Sequence, residues 1–184
     1  MSKPKLDPTS FKPKSVYRTY IGATPEKVWQ SLIDPAFTRQ YFFGLAAEVE
    51  PRTGGRFRLL WPDGREHITG EVVEWSPPHR LCMSWDIRNM PPFSELPTCL
   101  VTWEVEADGE ATRLTMTESH DWDIPREIML GGEEGWPKII SGLKSVLETG
   151  KPLGFDMSGG PPPEFVAAVE KAAKEKPWMR VSRG

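Results

Sequence analysis

The sequence predicts an α+β fold: an antiparallel sheet curled around one long C-terminal helix, with two short helices after the first strand. Three observations carry this expectation. Strand-like segments follow one another through tight turns at Gly54-Gly55, Pro62-Asp63-Gly64, Pro77-Pro78 and Asp108-Gly109, and such turns join antiparallel neighbours. Apolar residues then recur at every second position: Phe57, Leu59 and Trp61; Leu81, Met83 and Trp85; Val101, Trp103 and Val105. That period gives the sheet one apolar face. Finally, Trp136, Ile139, Ile140, Leu143, Val146 and Leu147 form a helical stripe ending at Gly150, long enough to cover that face.

The elements can be justified in order. Residues 1–13 hold lysines and prolines without an apolar run, and read as a flexible lead-in rather than a secretory signal. "KSVYRTYI", residues 14–21, alternates as a strand does. Thr24 offers an N-cap and Pro25 a first helical residue for "PEKVWQSLI"; Asp34-Pro35 breaks that helix and starts "PAFTRQYFF". Six strand-like segments follow: "AAEVEP", "GGRFRLLW", "EHITGEVVEW", "RLCMSWDI", "CLVTWEVEA" and "ATRLTMTESH". The long helix is expected over 135–149. Pro137 starts it, and Gly131, Gly132 and Gly135 let the chain swing across from the last strand. Residues 14–150 make one domain, and 151–184 read as a linker and an accessory helix, "PEFVAAVEKAAKEK". Phe165, Val166 and Val169 form its apolar stripe, while Trp178 and Met179 are expected to be covered.

Composition excludes several classes. A net charge of −3 and a pI near 5.7 give no footprint for nucleic acid. No apolar run is long enough to span a bilayer. Cys82 and Cys99 lie far apart with no CxxC spacing, which suits a reducing cytoplasm. "GGEEGWPK" lacks the Gly-Lys-Ser/Thr ending of a phosphate loop. His67, His79 and His120 are scattered, so no metal and no cofactor is expected. Neither cysteine reads as having a local histidine partner for nucleophilic catalysis, and no G-x-S-x-G elbow occurs.

The succession of "YIGATPEKVWQSLIDPAFTRQYF", "EVEPRTGGRFRLLWPDG", "GEVVEWSPPHRLCMSW", "LVTWEVEADGEATRLTMTES" and "GGEEGWPKIISGLKSVLE" resembles the START-like (SRPBCC, helix-grip) superfamily. Within it, the branch similar to the C-terminal domain of the heat-shock-protein-90 ATPase activator matches best, over residues 14–150. The resemblance implies a cavity between the sheet and the long helix that takes a small apolar or aromatic molecule. It implies no shared catalytic set. Two departures stand out: "RQYFF" replaces the tryptophans common at the entrance, and "RNMPPFSELPT" reads as a lid-like loop. Part of the chaperone-binding motif of eukaryotic activators belongs to a separate N-terminal domain, expected to be missing from this chain.

The lining expected for such a cavity is Trp61, Met83, Trp85, Trp103, Met116 and Trp136. These residues either pack solidly or leave a flat apolar slot, with Trp136 at the entrance or plugging the core. Glu118 and His120 share the inward parity of Leu114 and Met116. Beside an apolar mouth such a pair suits acid–base work; a solvated strand end is the plainer and favoured reading. Three functions stay open: a ligand binder, a polyketide-cyclase or hydrolase-like enzyme in the same cavity, and a chaperone-interacting module. A homodimer stays open too.

Overall fold

Seven antiparallel strands form one sheet in the order β1-β7-β6-β5-β4-β3-β2. They are β1 (Lys12–Ile21), β2 (Ala46–Val49), β3 (Arg56–Leu60), β4 (Glu66–Ser76), β5 (Arg80–Ile87), β6 (Cys99–Asp108) and β7 (Ala111–His120). This computed structural model describes residues 6–156 and 158–179. From β2 to β7 each strand pairs with its successor, as the tight turns require. β1 instead returns to pair with β7, so β1 and β2 lie at opposite edges of the sheet. Two short helices, α1 (Pro25–Ile33) and α2 (Pro35–Tyr41), bridge that distance.

Local chemistry fixes the bridge. Thr24 Oγ1 accepts from the Lys27 amide at 3.3 Å, and Asp34 Oδ1 accepts from the Ala36 amide at 2.8 Å, satisfying amides that the helices themselves leave bare. The Tyr41 hydroxyl donates to the Ser31 carbonyl at 2.8 Å, which ties α2 to α1. Thr38 Oγ1 accepts from the Ala47 amide at 2.9 Å and anchors the start of β2.

The covering helix, α3 (Arg126–Thr149), departs from expectation. It begins at Arg126, not near residue 135, so Pro137 and all three glycines lie inside it. Gly costs about 1 kcal/mol and Pro about 3 kcal/mol in a helix interior; tertiary packing overrides both here. Ile128 and Trp136 are buried on either side of the glycines. The glycines serve close approach rather than a swing. A Cβ on Gly131 would stand 2.3 Å from Phe165 Cζ, and one on Gly132 would stand 3.3 Å from Glu118 Oε2. β1 likewise starts earlier than expected, at Lys12, inside the segment read as a lead-in.

Two apolar cores result. The main one joins the inner face of the sheet to α1, α2 and α3 through Leu81, Met83, Val101, Trp103, Val105, Leu114, Met116, Ile139, Ile140 and Leu143. The second seats α4 (Pro163–Glu175) against α3 and the loop after β5. There Val169 and Ala172 are buried, Phe165 meets Phe93 at 5.2 Å between ring centroids, and Trp178 meets Trp122 at 5.2 Å. Met179, expected to be covered, is 65% exposed; its neighbour Trp178 takes the apolar seat instead. Residues 1–5 of the lead-in and 180–184 of the accessory segment fall outside the described residues.

Candidate functional site

Strand register decides which side chains meet beneath α3. Leu81 pairs with Trp103 and Trp103 with Met116, while Met83 pairs with Val101 and Val101 with Glu118. Trp85 pairs with Cys99. The pair Leu100–Ser119, carried one residue further, sets Cys99 opposite His120. All of these alternate to the inner face. Three cross-strand rows therefore run from an apolar middle to a polar end formed by Cys99, Glu118 and His120.

Trp136 joins that polar end to the helix. Its indole Nε1 donates to Glu118 Oε2 at 2.7 Å, and the other carboxylate oxygen, Oε1, lies 2.7 Å from His120 Nε2. The Glu118 side chain is 16% exposed and that of His120 8%. Gly132, one turn before Trp136, leaves the room this bond needs. The solvated strand end favoured from the sequence is thus replaced by a covered, hydrogen-bonded pair. The reason is geometric: α3 starts early enough to lie over the end of β7, and Trp122 meets the His120 ring at 6.3 Å.

Beside them, Cys99 is a residue that the sequence did not mark. Its thiol, a Glu118 carboxylate oxygen and a His120 ring nitrogen all lie within 4.8 Å of one another. Burial pushes the Cys99 thiol well above its ordinary pKa, and the Glu118 charge adds to that. Unaided, it stays protonated and is a poor nucleophile.

The expected ligand-lining residues divide. Met83, Trp103, Met116 and Trp136 are buried together, and Trp85 is half-buried against them. Ring centroids lie 5.5 Å apart for Trp85–Trp136, 6.0 Å for Trp103–Trp136 and 5.9 Å for Phe42–Trp136. The aromatic rings are in contact with one another, so the chain's own side chains occupy the slot. Trp61, partly buried, packs against the same core from its rim. The register slips between Leu59 and Leu60, where His67 of β4 is the extra residue, and β3 ends at Leu60, so Trp61 stands just past the strand end. Its ring meets His67 at 4.8 Å and lines a shallow outer hollow of about 290 Å³. A second hollow, of about 350 Å³, lies on the opposite face of the sheet around Phe11, Cys82 and Thr102.

Comparison with solved structures gives the same architecture. CalU16 from Micromonospora echinospora is 20% identical with a TM-score of 0.55, covering 92% of this chain and 88% of its own. DynU16, from the dynemicin biosynthetic locus, is 28% identical with a TM-score of 0.61, covering 78% of this chain and 51% of its own. An HSP90 activator from Plasmodium falciparum is 20% identical with a TM-score of 0.58, covering 74% of this chain and 96% of its own. No curated protein matches the sequence. The family model described as activator of Hsp90 ATPase homolog 1-like protein matches residues 22–148, from the end of β1 to the last turn of α3. The sheet, the gripped helix and the match agree: this chain belongs to the activator of Hsp90 ATPase homolog 1-like family, with a START-like fold.

Proposed function

We propose that the protein binds a small apolar or aromatic molecule between the inner face of the sheet and α3. One observation carries this reading: a hydrogen-bonded polar pair, Glu118 and His120, stands with Cys99 at the end of a largely apolar, aromatic interior. Binding sites for small molecules have this character, with few polar groups fixing orientation in apolar walls. A ligand enters by parting rings that now touch, Trp85 and Trp136 first, since Trp85 is only half-buried. Tryptophan suits that task, because one flat ring can stack on another or on a guest.

A second reading rests on the same pair. A carboxylate 2.7 Å from a buried imidazole is arranged for proton transfer to a bound substrate, as a cyclase or hydrolase of this fold would need. Family membership and the likeness to an HSP90 activator support a third reading, a chaperone-binding module. The likeness to an Aha1 dimer from Colwellia psychrerythraea (20% identical, TM-score 0.56) supports self-association. Two free cysteines support a reducing, cytoplasmic setting.

The first reading is tested by thermal melting against a panel of fatty acids and aromatic compounds. A ligand of the native state stabilises it by about 2.7 kcal/mol at a hundredfold excess over Kd. A broad panel that leaves the melting temperature unmoved sinks the reading.

A further inference from the structure

β6 and β7 bring three chemically different donors together at one end of the inner face. The Cys99 thiol, a Glu118 carboxylate oxygen and a His120 ring nitrogen lie within 4.8 Å of one another. Cys99 is 9% exposed and His120 7%. Large apolar side chains flank the group: Trp85 is paired with Cys99, Val101 with Glu118, and Trp122 lies against the His120 ring, while the Trp136 indole donates to Glu118 Oε2.

The present partners occupy both Glu118 oxygens but not all of the other two residues. His120 spends Nε2 on Glu118, while its buried Nδ1 has no hydrogen-bond partner. An unpaired buried polar atom costs about 1–3 kcal/mol, and native proteins rarely tolerate one without a use for it. The Cys99 sulfur has only a long contact, 3.9 Å, to the Trp85 carbonyl. The sulfur is a good ligand held ready in a covered place, and a ring proton on Nδ1 leaves the Nε2 lone pair free for an ion.

We propose that Cys99, Glu118 and His120 bind a divalent metal ion of the zinc type, with a fourth position left for water or a donor atom of a guest molecule. The donor set selects the metal. One sulfur, one nitrogen and one oxygen suit a borderline cation, whereas calcium and magnesium ask for six or more oxygens. Zinc bonds of about 2.0–2.3 Å hold tetrahedral ligand atoms roughly 3.5 Å apart, so Glu118 Oε1 and His120 Nε2, now 2.7 Å apart, must open by roughly 1 Å while the thiol, within 4.8 Å of both, closes in. Charge balances as well. Cys99 releases its proton to solvent, and one thiolate with one carboxylate neutralises the dication, so no net charge is buried. Glu118 turns from His120 to the ion, and the ion then joins both residues. Three protein ligands with an open fourth position form the pattern of zinc sites that act on a bound molecule.

Cobalt(II) provides the test, because a thiolate bound to cobalt gives a charge-transfer absorption that a carboxylate or imidazole does not. The full chain, stripped with chelator and dialysed against cobalt and separately against zinc, is expected to hold one ion per chain and to show that absorption. Cys99→Ser should abolish the absorption, and His120→Gln should weaken binding at least tenfold. Cys82→Ser, on the other face of the sheet, and His79→Gln, at an exposed turn, should leave both unchanged. Circular dichroism checks that each variant folds; should Cys99→Ser fail to fold, the wild-type and Cys82→Ser spectra decide the matter. No bound ion, a cobalt spectrum without the thiolate absorption, or an absorption lost in Cys82→Ser overturns the proposal. None of these outcomes bears on the apolar-ligand reading, which needs no ion.

Discussion

The bond from the Trp136 indole to Glu118 is the hinge between an apolar interior and a polar end. It satisfies a carboxylate that would otherwise face rings, and a hydrogen bond to a charged group is worth about 1.5–3 kcal/mol. Trp136→Phe keeps most of the packing and removes that donor, so it should destabilise the protein by roughly 1–3 kcal/mol in urea unfolding. Adding Glu118→Gln to that variant should cost less than the same change in the wild type, because the two residues share one interaction. Strict additivity would show that the bond contributes nothing. His67 supplies a pH test. Burial, with the Trp61 ring beside it, holds its pKa below the ordinary 6.5, so the folded state resists protonating it. Its contribution to stability is complete above about pH 6.5 and is lost as pH falls through the lowered value. His67→Gln should therefore flatten the stability profile between about pH 7.5 and pH 5; an unchanged slope there would contradict it.

At the level of elements, α3 shows best where local rules and packing part company. Three glycines and a proline argue against helix from residue 131 to 137, and from sequence alone they mark a loop. Gly131 is nevertheless helical because α4 crosses there, with Phe165 against its bare Cα. That contact joins residues far apart in sequence, and no local pattern reports it. Gly135 has open space around it, which separates the two effects. Gly135→Ala should stabilise the helix by about 0.5–1 kcal/mol. Gly131→Ala should lose that gain and destabilise the protein, because a Cβ there would drive Phe165 away; thermal melting of the two variants compares them directly. Equal gains would mean that α4 does not sit where described. The strands were more legible, since turn residues and two-residue alternation are local signals. Glu118 and His120 could be read by the same parity. Cys99 could not be joined to them, because only the β6–β7 register brings it there. Trp61, read by the same parity, reaches only the rim of the core because β3 ends one residue before it.

For the whole molecule, α4 lies beyond the family match, which ends at residue 148, yet packs on the same helix that the sheet grips. It covers Phe93, Trp122 and Ile128, next to the polar end of the interior. Removing residues 160–184 should bare these side chains, lower the melting temperature by several degrees and promote association, as burying a large apolar side chain is worth about 1.5–3 kcal/mol. An unchanged melting temperature and particle mass would show that α4 contributes nothing to the fold. The central claim, a guest held between sheet and helix, is tested most directly by weighing the intact protein. Native mass spectrometry of freshly purified chain should give a mass above that of the polypeptide, and the excess should disappear when the same sample is sprayed under denaturing conditions. The bare polypeptide mass under gentle conditions, persisting after incubation with a panel of apolar and aromatic compounds, would contradict the account.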